Sequence, residues 1–173
     1  WEDEENYIKA KDFEADTKIV LYHGTVDRSK TDVGFSLPGK VTIDYFDDYD
    51  MGLIGDIHKR QYLNEEKTIA YCGSLIQQNH GEGIGHGYLL WEVPTRTAEY
   101  IEIPNDYGYY TIDIDNGIVP DADDMPEKAR LRVRVSNTDG AQLKKCLAVI
   151  HHRHGIKDVT ITRVDRRERV RGE

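Results

Sequence analysis

The chain has no run approaching the roughly 20 apolar residues that span a bilayer, and its opening WEDEEN lacks the basic start and apolar core of a signal peptide. It has only two cysteines, Cys72 and Cys146. They are too few for a disulfide framework and have no C-x-x-C spacing, so each reads as a packed thiol. It has no basic excess, since 23 Lys and Arg stand against 32 Asp and Glu for a formal charge of -9. General attraction to nucleic acid is therefore not what the composition offers, and any DNA contact must be local. It also lacks an initial Met, opening on Trp1, which predicts a processed chain or an excerpt of a longer protein. These absences predict a cytoplasmic protein with no membrane partner, and 173 residues make one substantial domain, or one with a small appendage.

What is present is a series of strand-like runs. TKIVLYHGT is rich in β-branched residues and ends at His23 and Gly24. VDRSKTDVGFSLPGK reads as a loop, and VTIDYF as a strand or strand edge. Met51 to Ile54 is a buried-type strand that runs into Gly55, Asp56 and His58; TIAYCGSL and GYLLWEV are two more, separated by the glycine-rich QQNHGEGIGHG. After Pro94 the strands TAEYIEI and YYTIDI flank PNDYG, and an acidic loop precedes ARLRVRVS, whose alternation points Leu131, Val133 and Val135 inward. Asn137, Thr138 and Asp139 offer N-caps to a helix with Leu143, Cys146, Leu147 and Ile150 on one face, and Gly155 supplies its stop. IKDVTITRV completes a β-α-β unit. The expected class is α/β (α+β), with a lead-in over 1–16, a first domain over 17–94 and a second over 95–173.

His23, Asp56 and His58 share one setting, the end of an apolar strand beside a glycine. Strand carboxyl ends are where side chains of separate strands converge in an α/β sheet. Spaced i and i+2, Asp56 and His58 would face the same side of an extended chain. Imidazole and carboxylate without thiolate favour manganese, iron or zinc over a cysteine-built zinc site. The bland alternative is a polar turn whose side chains bond locally.

LYHGT, IGDIHKRQ, IAYCGSLIQQNHGE and HGYLLWEV, in that order and spacing, resemble the carboxyl-terminal half of the calcineurin-like metallophosphoesterases. Within that superfamily they are similar to the DNA double-strand-break repair nucleases, above all the phage recombination endonuclease subunit that works with an SMC-like ATPase. The resemblance covers about residues 17–94, and the region from 95 is similar, by element order, to the capping domain of those nucleases. It implies half of a metallophosphoesterase β-sandwich followed by a β-α-β cap. It also implies two divalent ions, Mn2+, with His23, Asp56 and His58 as ligands, DNA and an SMC-like repair ATPase as partners, and a bacterial host cytoplasm for a phage-encoded chain. His58 matches the second histidine of the family's G-H-x-H block, and Asp56 stands where the first would be.

The family's earlier blocks, D-x-H, G-D-x-x-D and G-N-H, do not occur upstream of LYHGT. They supply the remaining ligands of a centre whose ions lie about 3.5–4 Å apart to activate water and neutralise the phosphate. The expected function is therefore a share in DNA phosphodiester hydrolysis, exonuclease or endonuclease, during recombination and repair. The isolated chain is expected to be inactive, with the missing amino-terminal half as its partner. A non-catalytic module that docks on DNA or on the ATPase is the alternative, and a small-molecule phosphodiesterase fits the same ligands.

Other residues divide between chemistry and structure. His80 is a candidate substrate contact in the glycine-rich loop, or a loop hydrogen bonder. Ser74 has no base paired with it in the sequence and reads as a turn or phosphate-loop residue. Lys59 and Arg60 read as phosphate contacts or as solvated loop charges. His151, His152 and His154 wrap the end of a helix, where they favour the negative end of its dipole. Trp91, Tyr107, Tyr109 and Tyr110 read as packing residues. Arg163, Arg166, Arg167, Arg169 and Arg171 form a basic tail, solvated or in contact with phosphate.

Overall fold

The computed structural model describes residues 8–155 and 158–164. The expectations for the first seven residues and for Arg166, Arg167, Arg169 and Arg171 lie outside the described residues. The chain groups into two compact units: residues up to Ile76 with Gly81–Ile103, and Gln77–His80 with residues from Pro104 onward. Pro94, expected at a boundary, lies in the turn between two paired strands, and the units part after Ile103.

In the first unit β1 (Ile19–His23), β2 (Met51–Gly55), β3 (Gln61–Tyr62) and β4 (Ile69–Tyr71) form a sheet in the order β1-β2-β4-β3. β1, β2 and β4 are parallel, and β3 runs antiparallel to β4. Alternation sends Val20 and Tyr22 to the face that packs on Val26, Val41, Phe46, Ile54, Ile69 and Tyr71. The same alternation leaves Ile19 42% and Leu21 77% exposed on the other face. β5 (Gly87–Glu92) and β6 (Thr97–Glu102) make a separate antiparallel hairpin.

VTIDYF is not a strand: Ile43–Phe46 form a 3-10 helix. Its two apolar anchors, Ile43 and Phe46, are three residues apart, which suits three residues per turn and sends both to the core. Phe46 is fully buried, edge-on to Tyr22 at 5.9 Å and to Tyr45 at 5.2 Å. The short β3 was not anticipated, because two residues carry no period.

In the second unit β7 (Tyr107–Asp115), β8 (Lys128–Ser136) and β9 (Val159–Arg163) are parallel in that order. α1 (Gly140–His154) connects β8 to β9 and completes the expected β-α-β unit. Leu131, Val133 and Val135 meet Leu143, Cys146 and Ile150 in one core. Of the three cap candidates Asp139 is the one used: its carboxylate accepts from Gln142 N while the Gln142 side chain accepts from Asp139 N. Gly155 ends the helix at φ 62°. The class is mixed α/β, and among the described residues no helix is long and apolar enough to cross a membrane.

Tyr71 joins the sheet of the first unit to the segment after β1. Its ring is fully buried, and its hydroxyl donates to Gly24 O at 2.7 Å and accepts from Val26 N at 2.8 Å. Tyr71→Phe leaves both backbone groups short of a partner and is expected to lower unfolding stability by about 1–3 kcal/mol in urea titration. Burial raises the Tyr71 phenol above its usual value of 10. The unfolded chain therefore loses that proton first, so the contribution is full below pH 10 and declines as pH rises toward the folded value. Tyr71→Phe is expected to flatten that alkaline decline.

Candidate metal centre

His23 and Gly55 are register partners at the ends of β1 and β2. A Cβ built on Gly55 would lie 2.9 Å from His23 Cδ2, so the imidazole passes close to β2 at its terminal glycine. Asp56 follows with φ 103°, backbone that side chains other than glycine rarely adopt. Its Oδ2 accepts from Thr25 Oγ1 at 3.1 Å, which ties it to the segment just past His23. The unusual backbone is thus held at a strand end among candidate ligands, where strain concentrates in working sites.

The positive φ also corrects one expectation. The chain turns at Asp56 instead of continuing extended, so the i, i+2 rule for strands does not apply to Asp56 and His58. Each is held by a different partner. His58 Nδ1 lies 2.9 Å from Glu82 Oε1, with the histidine side chain 46% and the glutamate 6% exposed. Beneath His58 the chain after β4 passes close: Ser74 N donates to His58 O at 3.2 Å, and a Cβ on Gly73, at φ 81°, would lie 2.8 Å from that oxygen. Gln61, the last residue of GDIHKRQ, accepts from Lys30 N and donates to Lys30 O, fastening the loop after β1 to this segment.

A cleft of about 300 Å³ is lined by His58, Arg60, Ser74, His86, Tyr100 and Glu102, among others. Arg60 stacks on the Tyr100 ring at 3.9 Å and Lys59 Nζ reaches Thr31 O at 3.5 Å, so both cations are engaged with their own unit. Ser74 does have a histidine beside it, since His86 Nδ1 is 3.0 Å from its Oγ. That hydroxyl donates its one proton to Ile76 O at 2.9 Å, and His86 Nε2 bonds Gly83 O at 2.9 Å. The arrangement is a clamp on the glycine-rich loop, not a nucleophile with its base.

His80 belongs to the second unit. Its Nδ1 lies 3.4 Å from Thr111 Oγ1, its ring meets Tyr109 edge-on at 5.0 Å, and burial foremost, then Arg132, pushes its pKa down. His151, His152 and His154 occupy the last turn of α1. Among the aromatics, Tyr107 is 63% exposed beside Lys128, whereas Tyr110 packs against the core and donates to Asp124 at 2.6 Å, which pushes its phenol up to about 12.

The structure thus places His23 beside Gly55 and ties Asp56 to Thr25 and His58 to Glu82, leaving all three candidate ligands on solvent-exposed positions. Among the described residues no three His, Cys, Asp or Glu side chains are grouped to hold one ion. Glu82 had no assigned role in the sequence. The signal was a lone carboxylate in the glycine-rich NHGEG following a buried strand.

No protein-family model matches the chain. It is similar to uncharacterized protein R555 of Acanthamoeba polyphaga mimivirus, with 41% identity over 144 residues, which are 82% of this chain and 11% of that protein. The chain spans about a ninth of the length of this relative.

Asp56→Gly removes the strained conformation. Relief of the positive-φ penalty, less one exposed hydrogen bond and the added freedom of glycine in the unfolded chain, is expected to raise unfolding stability by about 1 kcal/mol, checked by denaturant titration.

Proposed function

We propose that this segment is the carboxyl-terminal part of a metal-dependent DNA phosphodiesterase of the double-strand-break repair type, in which His23, Asp56 and His58 furnish one wall of a two-metal site. The observation that carries the reading is the pairing of an exposed imidazole, His58, with a shielded carboxylate, Glu82. Metal-binding histidines usually hold their second ring nitrogen in this way. The donor set of two imidazoles and a carboxylate accommodates manganese, iron or zinc, of which Mn2+ is the ion the resemblance implies.

When bound, the ions would activate water and neutralise charge on the phosphoryl oxygens. The chain's own residues present the donors: Gly55 makes room for the His23 ring, Thr25 fixes the Asp56 carboxylate, and Glu82 orients His58. Fixed donors need little reorganisation when charge develops on the phosphate. The wall is incomplete by itself. Parallel sheets normally have both faces covered, and the exposed Ile19 and Leu21 on β1 support an amino-terminal half packed against this sheet. In this reading the first unit is the second half of the phosphoesterase sandwich, the second unit is its cap, and DNA and an SMC-like ATPase are the partners.

The reading is tested by joining the chain to its upstream sequence and following Mn2+-dependent cleavage of linear DNA. His58→Ala is expected to reduce cleavage at least 100-fold, by about 2.7 kcal/mol of barrier; full activity in that variant overturns it. The absence of a three-ligand group among the described residues favours one second reading, a non-catalytic module docking on DNA or the ATPase. Metal-independent binding to either, with no cleavage by the joined protein, would establish that reading instead.

A further inference from the structure

We infer that Glu82 is a positioning residue, which holds His58 in the tautomer whose Nε2 carries the lone pair for a divalent cation. The inference rests on the reading of His58 as a metal ligand and adds to it a residue that touches neither ion nor substrate.

The geometry runs from the buried side outward. His86 is 7% exposed and pinned at both ring nitrogens, with Nδ1 3.1 Å from Ser74 O and Nε2 2.9 Å from Gly83 O. The Glu82 carboxylate lies beside it, with Oε2 3.9 Å from His86 Nε2, too long for a hydrogen bond. Its other oxygen, Oε1, meets His58 Nδ1 at 2.9 Å. An ionised carboxylate can only accept. The hydrogen of that bond therefore sits on Nδ1, and in the neutral tautomer the lone pair is on Nε2.

Exposure supports the same order. The His58 side chain is 46% exposed and lines the cleft, whereas the Glu82 side chain is 6% exposed, so the acceptor is the more sheltered of the two. Sheltering a carboxylate is costly unless it is partnered. Glu82 is also 24 residues from His58 in sequence, and the loop that carries it is anchored to the segment under His58 by Ser74. The glycine-rich loop thus has a definite role, to deliver one carboxylate to the back of one imidazole.

The test uses the full chain labelled with 15N-histidine. Long-range proton–nitrogen spectra read the His58 tautomer, with the signal assigned by its loss in His58→Ala. The wild type is expected to show Nδ1–H. Glu82→Met, of similar length but without an acceptor, should shift the ring toward Nε2–H, and Glu82→Gln, which keeps an acceptor, should retain Nδ1–H. Mn2+ binding by the chain joined to its upstream sequence, followed by electron paramagnetic resonance, should weaken about 10–100-fold in Glu82→Met and less in Glu82→Gln.

An Nε2–H ring in the wild type overturns the inference, as does a Glu82→Met variant with unchanged tautomer or unchanged Mn2+ affinity. If Glu82→Met does not fold, Nδ1–H in both the wild type and Glu82→Gln with weaker Mn2+ binding in the latter upholds it, and unchanged binding overturns it. Wild-type Mn2+ affinity in His58→Ala of the chain joined to its upstream sequence, or no Mn2+ binding by that joined protein, overturns the ligand reading instead. The spectra then judge separately whether Glu82 sets the ring.

Discussion

The Tyr71 hydroxyl is the point on which the first unit depends. Three parallel strands place their carboxyl ends side by side, and the segments leaving those ends are fixed by isolated bridges, single backbone bonds and side chains. Tyr71 reaches from β4 beneath β1 and binds the backbone on both sides of Thr25, through Gly24 O and Val26 N. Thr25 in turn holds Asp56, and Gly24 N donates to Gly55 O at 3.3 Å. The position of the His23 and Asp56 side chains is therefore set from the core. Two bonds at a fully buried oxygen matter mainly through the cost of leaving their partners unmet.

Much of this was legible in the sequence, for reasons that differ by element. β1, β2, β8 and α1 announce themselves by period, and Asp139 and Gly155 by cap chemistry, because these are local signals. Ile43–Phe46 misled because an apolar run of strand length also serves a 3-10 turn when its anchors are three apart. The candidate ligands could be named from motifs, but their arrangement could not. Nothing local to GDIH reports that Asp56 turns the chain at φ 103° or that the acceptor for His58 is a glutamate in a distant loop. Tyr71 likewise reads as an ordinary core aromatic until its hydroxyl is seen to have two backbone partners.

The second unit shows why basic residues in a strand need not make a basic surface. Lys128, Arg130, Arg132 and Arg134 alternate along β8, opposite Tyr107, Tyr109, Thr111 and Asp113 on β7. Arg134 grips Asp113 through two bonds of 2.6 Å and holds its carboxyl below the usual range. Lys128 faces Asp106 at 3.4 Å, and Arg130 faces Asp158 at 4.0 Å. These pairs are exposed and contribute little to stability. They do cancel most of the field that the arginines would otherwise project. The unit is held instead by the opposite face of the same strand, where Ala129, Leu131, Val133 and Val135 are buried.

A divalent ion bound through oxygen and nitrogen donors takes about four to six of them, partly water. On the proposed reading His23 beside Gly55, Asp56 bonded to Thr25 and His58 bonded to Glu82 would supply part of such a shell, not a cage. A partial shell of this kind gains most when a second surface brings the remaining donors, since each donor already fixed reduces what must be ordered on assembly. The apolar face of β1 supplies a reason for such a surface to dock there. Covering Leu21, 77% exposed, would contribute roughly 1–2 kcal/mol and Ile19, 42% exposed, about half as much, and the same strand ends in His23. On the proposed reading, packing and metal binding are coupled through β1: the contact that covers its apolar face also brings new ligands to its carboxyl end.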